Sequence, residues 1–172
     1  EVVKENIDVI GEFNALKREG LGIEELHFYD NYVPLVKDVD KKYSYEEAIE
    51  LVRTALAPLG VDYLRKYDAT VRARVIDVLE SPGKRSGAFS WGSYASRGLI
   101  FLNYTEKFSD VSTFAHEFGH CLHRDYSIEN QPYIYYQNPI FLAEIASTFN
   151  EALLFDHMSK IAESSEEKKF FL

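Results

Sequence analysis

The sequence predicts a mainly α chain with one small antiparallel β-sheet, an α+β fold. Two observations carry this. Apolar residues recur at helical spacing along most of the chain, and the period shortens only between residues 75 and 104, where β-branched and aromatic runs alternate with Gly, Pro and Ser. The length agrees, since 172 residues with 46% hydrophobic and 15% aromatic content suit one domain over 1–172 that buries most of its apolar surface.

Val3, Ile7, Ile10 and Phe13 are spaced for a helix over about 2–18, which Gly20 and Gly22 end. His27 to Pro34 has no period and reads as an irregular connection, with His27 structural. Ser44-Tyr45-Glu46-Glu47 is a capping box opening a helix over about 44–57, stopped by Pro58 and Gly60. Another helix covers about 61–72. Three strands follow at about 75–79, 86–91 and 98–104, joined by hairpin-type turns at Ser81-Pro82-Gly83-Lys84 and between Ser93 and Gly98. Ser109 and Asp110 are capping types before an apolar run, placing a helix at about 109–124. The stretch from Ile140 to Phe155 opens a last helix over about 140–160, and Glu163 to Lys169 reads as a charged, exposed end.

The helix at 109–124 contains His116-Glu117-Phe118-Gly119-His120. Histidines four apart share one helix face, about 5 to 6 Å apart at Cβ, so two ring nitrogens can meet on one Zn²⁺. Glu117 then stands as a base that is not itself a ligand, the H-E-x-x-H zinc hydrolase pattern. The apolar neighbours Val111, Phe114, Ala115, Phe118 and Leu122 mark the helix as buried, and buried histidines need partners. Gly119 costs about 1 kcal/mol of helix propensity, which room for another backbone or a ligand would offset.

A catalytic zinc normally takes three protein ligands and leaves one position open. A Gly and a His three and six residues past His120 would supply the metzincin solution, but those positions hold His123 and Tyr126. A glutamate 19 or 20 residues past His120 would fall on Pro139 or Ile140, which cannot ligate. Glu144 is the next candidate, a carboxylate in an apolar helix that is costly unless paired or metal-bound. Glu151, two turns on, competes for the role or orients a ligand histidine. His123 is on the histidine face but would have to reach back two turns, so it reads as a supporting or packing residue.

The middle strand carries a second functional reading. Gly83, Gly87 and Gly92 thin the surface around Phe89 and Trp91, so an edge strand beside the metal could pair with an extended peptide through Gly87, Ala88, Phe89 and Ser90. The same glycines also serve turns and bulges. Lys84 and Arg85 could meet a substrate carboxylate but read first as solvated, and Tyr126, Tyr133, Tyr135 and Tyr136 as packing residues. Cys121, the only cysteine, excludes an internal disulfide and points about 100° away from His120 on the helix, as a small buried residue. The net charge of −9 argues against nucleic acid and anionic membranes. No apolar run reaches the roughly 18 residues of a membrane span, and Glu1 to Glu5 lacks the features of a signal peptide.

Four segments in order, Gly83 to Gly92, His116 to His123, Asn130 to Tyr133 and Ala143 to Glu151, resemble the oligoendopeptidase F branch of the thimet-oligopeptidase-like zinc metallopeptidases. The resemblance runs from about His27 to near the C-terminus. It implies a zincin-like catalytic core of a larger helical peptidase, one Zn²⁺ per chain, and cleavage of short peptides in the cytoplasm. Position by position it makes His116, His120 and Glu144 the ligands and Glu117 the base. It also implies a longer protein whose remainder packs against this segment and supplies further transition-state groups. A noncatalytic zinc-containing peptide-binding or structural module is the alternative; it would keep the ligands and need no base.

Overall fold

The computed structural model describes residues 2–36 and 41–171. Where the sequence suggested one domain, the chain forms two compact units, Glu1–Val39 and Asp40–Leu172. The buried core runs from Tyr43 to Phe171, within the second unit.

In the first unit the expected helix is split into α1 (Val2–Glu5) and α2 (Ile7–Leu21). The side chain of Asn6 donates to the Val2 carbonyl at 2.8 Å, a local bond that competes with the helical ladder. α2 continues past residue 18 to its cap at Gly22. Its predicted apolar face is not a core: Ile7, Ile10 and Phe13 are 56%, 57% and 55% exposed. Lys17 is the buried residue of α2, and its ammonium donates to the Asn31 carbonyl at 2.7 Å, holding a 3₁₀ turn at Phe28–Tyr32 where an irregular connection was expected.

The second unit opens with α3 (Tyr45–Ala55) on the expected capping box, Ser44 Oγ accepting from the Glu47 N–H while Glu47 Oε2 accepts from the Ser44 N–H at 2.7 Å. α4 (Val61–Arg72) packs beside it through a two-bond Arg53–Asp68 pair at 2.8 and 3.1 Å and through Tyr67, whose hydroxyl donates to the Ile49 carbonyl at 2.9 Å. Tyr67 meets Phe118 with ring centroids 4.3 Å apart, and Phe118 meets Phe114 at 5.0 Å. These fully buried rings form the base of the core.

The sheet is mixed rather than antiparallel. β1 (Ile76–Asp77) pairs in parallel with β3 (Leu99–Phe101), and β2 (Phe89–Trp91) pairs antiparallel with the other side of β3, giving the order β1-β3-β2. The turn at Ser81 to Lys84 therefore carries the chain across β3 instead of closing a hairpin. Lys84 anchors that crossing. Its ammonium donates to Asp77 Oδ1 at 3.0 Å and the Leu79 carbonyl at 2.6 Å and lies 4.4 Å from the Phe101 ring centroid, with a side chain 5% exposed, which corrects its reading as solvated. All three strands are shorter than expected. β2 is at an edge.

α5 (Phe108–Asn130) begins earlier and ends later than 109–124. Asp110 caps it from inside the first turn, its Oδ2 accepting the N–H groups of Thr105 and Lys107 at 2.7 and 3.1 Å, and no Pro interrupts it before Pro132. α6 (Ile140–Ile161) follows Pro139 and crosses α5 closely. A Cβ on Gly119 would lie 2.5 Å from Ser147 Cα and 2.7 Å from the Ala146 carbonyl oxygen. The missing side chain of Gly119 thus admits the backbone of α6. The charged end folds into α7 (Ser165–Phe170), after which Phe171 packs on Phe108 at a centroid distance of 4.7 Å. Among the described residues no helix is long and apolar enough to cross a membrane.

Candidate metal centre

The α5–α6 crossing at Gly119 brings three side chains to one point. His116 and His120 project from α5 one turn apart, and Glu144 comes from the second turn of α6. His116 Nε2 is 3.0 Å from His120 Nε2 and 3.4 Å from Glu144 Oε2, and His120 Nε2 is 3.6 Å from the same oxygen. A tetrahedral ion with ligand distances of about 2.0 to 2.2 Å spaces its ligand atoms about 3.3 to 3.6 Å apart; both distances to Glu144 match that spacing, while the two ring nitrogens, at 3.0 Å, stand slightly closer than it. Among the described residues this triangle is the one group of three or more His, Cys, Asp and Glu side chains arranged to hold a metal.

The partners of these groups fix which atoms face the centre. His116 Nδ1 lies 2.8 Å from Glu151 Oε2; with Nδ1–H donating to that carboxylate, the lone pair of Nε2 points to the ion position. Glu151 is held in turn by the Ser112 hydroxyl, which donates to Oε1 at 2.9 Å. Burial, and then the neighbouring His116, lower the pKa of His120 below its ordinary value and favour the neutral ring that a ligand must be, against an opposing pull from Glu144. The fully buried Ser147 donates to Glu144 Oε2 at 2.9 Å, aiming the carboxylate from one turn along α6.

Glu117 faces the sheet rather than the ligand triangle's own helix partner. It is 7% exposed, and its Oε2 is buried with no hydrogen-bond partner. Burial raises its pKa above the ordinary carboxylate value; His116 opposes this, Glu144 adds to it, and a backbone hydrogen bond from Ser90 on β2 lowers it. A desolvated carboxylate with a free oxygen is suited to exchanging a proton. A cleft of about 380 Å³ opens at the ligand group, lined by Ser90 and Trp91 from the β2 side and by His120, Arg124 and Glu144 from the helices.

The chain has known relatives. The model of peptidase family M3 matches residues 1–171. The chain belongs to peptidase family M3. An oligoendopeptidase F homolog of Lactococcus lactis is 41% identical over 99% of the chain, which covers 28% of that protein, and the oligopeptidase PepF of Bacillus subtilis is 37% identical over 100% of the chain, 26% of its own length. A crystal structure of a Chlamydophila abortus protein assigned as a peptidase superposes with a TM-score of 0.87 at 43% identity, covering 99% of this chain and 28% of that one. Oligoendopeptidase-F from Enterococcus faecium, at 22% identity and a TM-score of 0.56 over 99% of this chain and 22% of that one, shares the fold. The chain thus spans between 22% and 28% of the length of these relatives. The match to M3 includes the residues before His27, where the sequence motifs are absent.

In this M3 chain the remaining residues singled out from the sequence fall into place differently. His123 is not brought to the ligand group; its Nε2 lies 3.1 Å from Asn138 Nδ2. Tyr126 stacks on Tyr63 at 6.3 Å, and Tyr133 and Tyr136 pack against Tyr94 at 5.4 and 5.3 Å, while Tyr135 is largely exposed. Cys121 is buried, and burial pushes its thiol up to about 11. Ser112, Ser147 and Arg124 were not foreseen. For the two serines the available signal was helical spacing, Ser112 four residues before His116 and Ser147 three after Glu144. Asn150 joins three helices: its Nδ2 donates to the Ala115 carbonyl at 3.0 Å and its Oδ1 accepts from Tyr63 at 3.0 Å.

Proposed function

We propose that this M3 chain carries the catalytic centre of a zinc-dependent oligopeptidase that cuts peptide bonds in short peptides, with one zinc held by His116, His120 and Glu144 and with Glu117 as the base. The observation that carries the reading is the convergence of those three ligand atoms within 4.8 Å of one another beside a buried carboxylate with an unpaired oxygen. When bound, zinc acidifies water and stabilises negative charge on a carbonyl oxygen. Glu117 accepts the proton of the attacking water and returns it to the leaving amine, a task for which its raised pKa places it nearer neutrality. Glu151, tied to Ser112, keeps the His116 ring oriented through both steps. The free edge of β2, at Phe89 and Ser90 with Gly87 and Ala88 before them, receives the peptide as an added strand. The relatives named oligoendopeptidase F and oligopeptidase support the substrate class. Because they are far longer, the remainder of such a protein packs around this segment and supplies further groups, and its setting is the cytoplasm.

Replacing Glu117 by Gln tests the assignment. The variant is expected to keep about one zinc per chain, by metal analysis, and to lose nearly all peptide turnover, because the change removes proton transfer and leaves the ligands. Turnover within about tenfold of wild type removes Glu117 as the base. Metal retained with no turnover in the wild-type protein favours the noncatalytic module instead.

A further inference from the structure

Arg124 is a buried cation that the proposed chemistry does not use. It stands one turn beyond His120 on the same face of α5, and its side chain is 13% exposed. Nη2 donates to Asp125 Oδ1 at 2.6 Å, while Nε and Nη1 are buried without a partner. Unmade bonds on a buried charge are costly, so some compensating fit must hold the group there.

That fit is with the connection between β2 and β3. The connection is pinched by Ser93 and Ser96, whose hydroxyls are 3.0 Å apart, with Ser96 Oγ also accepting the Ser93 N–H at 2.9 Å. Its two legs are Gly92 and Gly98, and a Cβ built on either would land on the Arg124 guanidinium. The legs approach so closely that a Cβ on Gly92 would also lie 3.1 Å from Gly98 Cα. A planar guanidinium is thin enough to lie against two bare backbones where an ammonium on a flexible stem would not seat. Gly92 directly follows Trp91, the end of the β2 edge, and Ser90, Trp91, Gly92 and Arg124 line the cleft that also contains His120 and Glu144.

We propose that Arg124 is a positioning residue: its guanidinium seats the legs of the β2–β3 connection and so sets where the β2 edge stands relative to the metal ligands. It acts on peptide binding rather than on the bond-breaking step, an assignment that rests on the peptidase reading above. The seating itself does not depend on that reading and can be observed separately through Trp91, the only tryptophan of these 172 residues, with any tryptophan elsewhere in the protein replaced by phenylalanine.

The test uses Arg124→Ala, Gly98→Ala and the double variant in the full chain. Time-resolved fluorescence anisotropy of Trp91, without peptide or metal, reads the seating. Each single change is expected to enlarge the fast depolarising component, one by emptying the seat and the other by forcing a methyl onto the guanidinium. In the double variant the methyl enters the vacated space, so the component falls below the sum of the two, a non-additivity that independent sites do not show. In peptide turnover, KM should rise about tenfold or more for Arg124→Ala with kcat within about threefold and zinc content unchanged. An unchanged Trp91 signal in Arg124→Ala, or strict additivity in the double variant, overturns the seating. A loss of kcat at constant KM overturns the positioning role. If Arg124→Ala does not fold, Gly98→Ala carries the test alone, and an unchanged Trp91 signal there refutes it. A chain that turns over no peptide yet shows the non-additive Trp91 response refutes the peptidase reading and keeps the seating.

Discussion

At the residue scale, Glu144 and Glu151 sit two turns apart on α6 and reach His116 from opposite sides of the ring, Glu144 at Nε2 and Glu151 at Nδ1. The difference predicts different losses. On the proposed ligand set Glu144→Ala removes one of three ligands and is expected to lose zinc outright, whereas Glu151→Ala frees the ring and weakens binding by about 10 to 100-fold. Zinc titration of both variants checks this, and a metal-free Glu151→Ala beside a loaded Glu144→Ala would reverse the assignment. Gly119 gives a second prediction, because two effects oppose. Alanine improves helix propensity by about 1 kcal/mol, yet its Cβ would meet the backbone of α6, and overpacking costs about 1 to 3 kcal/mol. A backbone neighbour cannot turn aside as a side chain can, so Gly119→Ala should lower the denaturation midpoint; a rise would mean that the helices separate cheaply. The meeting of His116 and His120 was legible in the sequence because a four-residue spacing encodes a shared helix face, whereas Glu117 was read from the motif between them. Glu144 stood out as a carboxylate among apolar residues, with the choice against Glu151 left open by spacing. Ser112 and Ser147 were hidden, since a hydroxyl in an apolar helix looks like filler until its partner on another helix is known, and Arg124 looked like any charged helical residue.

Among the elements, the Arg53–Asp68 pair joins α3 to α4, and it titrates. The Arg53 hydrogen bonds hold the Asp68 carboxyl below its ordinary value, against the opposing effect of burial and with the charge of Arg53 adding to them. A carboxylate with a depressed folded pKa adds stability above its unfolded pKa of about 3.9, and that contribution is lost as pH falls through the folded value. Arg53→Ala should therefore lower stability near pH 7 and flatten its decline below about pH 4, as urea midpoints measured down the acid range would report. Parallel acid limbs in the two proteins would show that the pair contributes nothing. The long helices were predicted well because capping and 3.6-residue periodicity are local signals. The sheet was not, because strand partners are chosen over distance. Adjacent strands in sequence suggested hairpins, while β1 skips β2 to lie beside β3, with the buried Ile100 at the centre and Lys84 pinning the crossing.

For the whole molecule, the division into two units escaped the sequence because an amphipathic pattern does not reveal what it faces: Ile7, Ile10 and Phe13 have core spacing yet remain exposed. The second unit, in contrast, closes its core from Tyr43 to Phe171 using side chains alone. The close crossing at Gly119 has a consequence for the order of events when metal arrives. In small zinc modules the ion holds the chain together, so binding energy and folding energy are one quantity. Here α5 and α6 are already locked by backbone contact at Gly119 and by the Asn150 bridges, so under the proposed function His116, His120 and Glu144 form a template waiting for its ion rather than a fold waiting for a rivet. Chelation should leave the far-ultraviolet circular dichroism unchanged and lower the melting temperature only by the amount that mass action returns from lost binding. A collapse of helical signal on chelation would show that the ion builds the crossing. If the template view holds, zinc enters a finished site, at a rate set by access through the cleft and loss of the ion's own water.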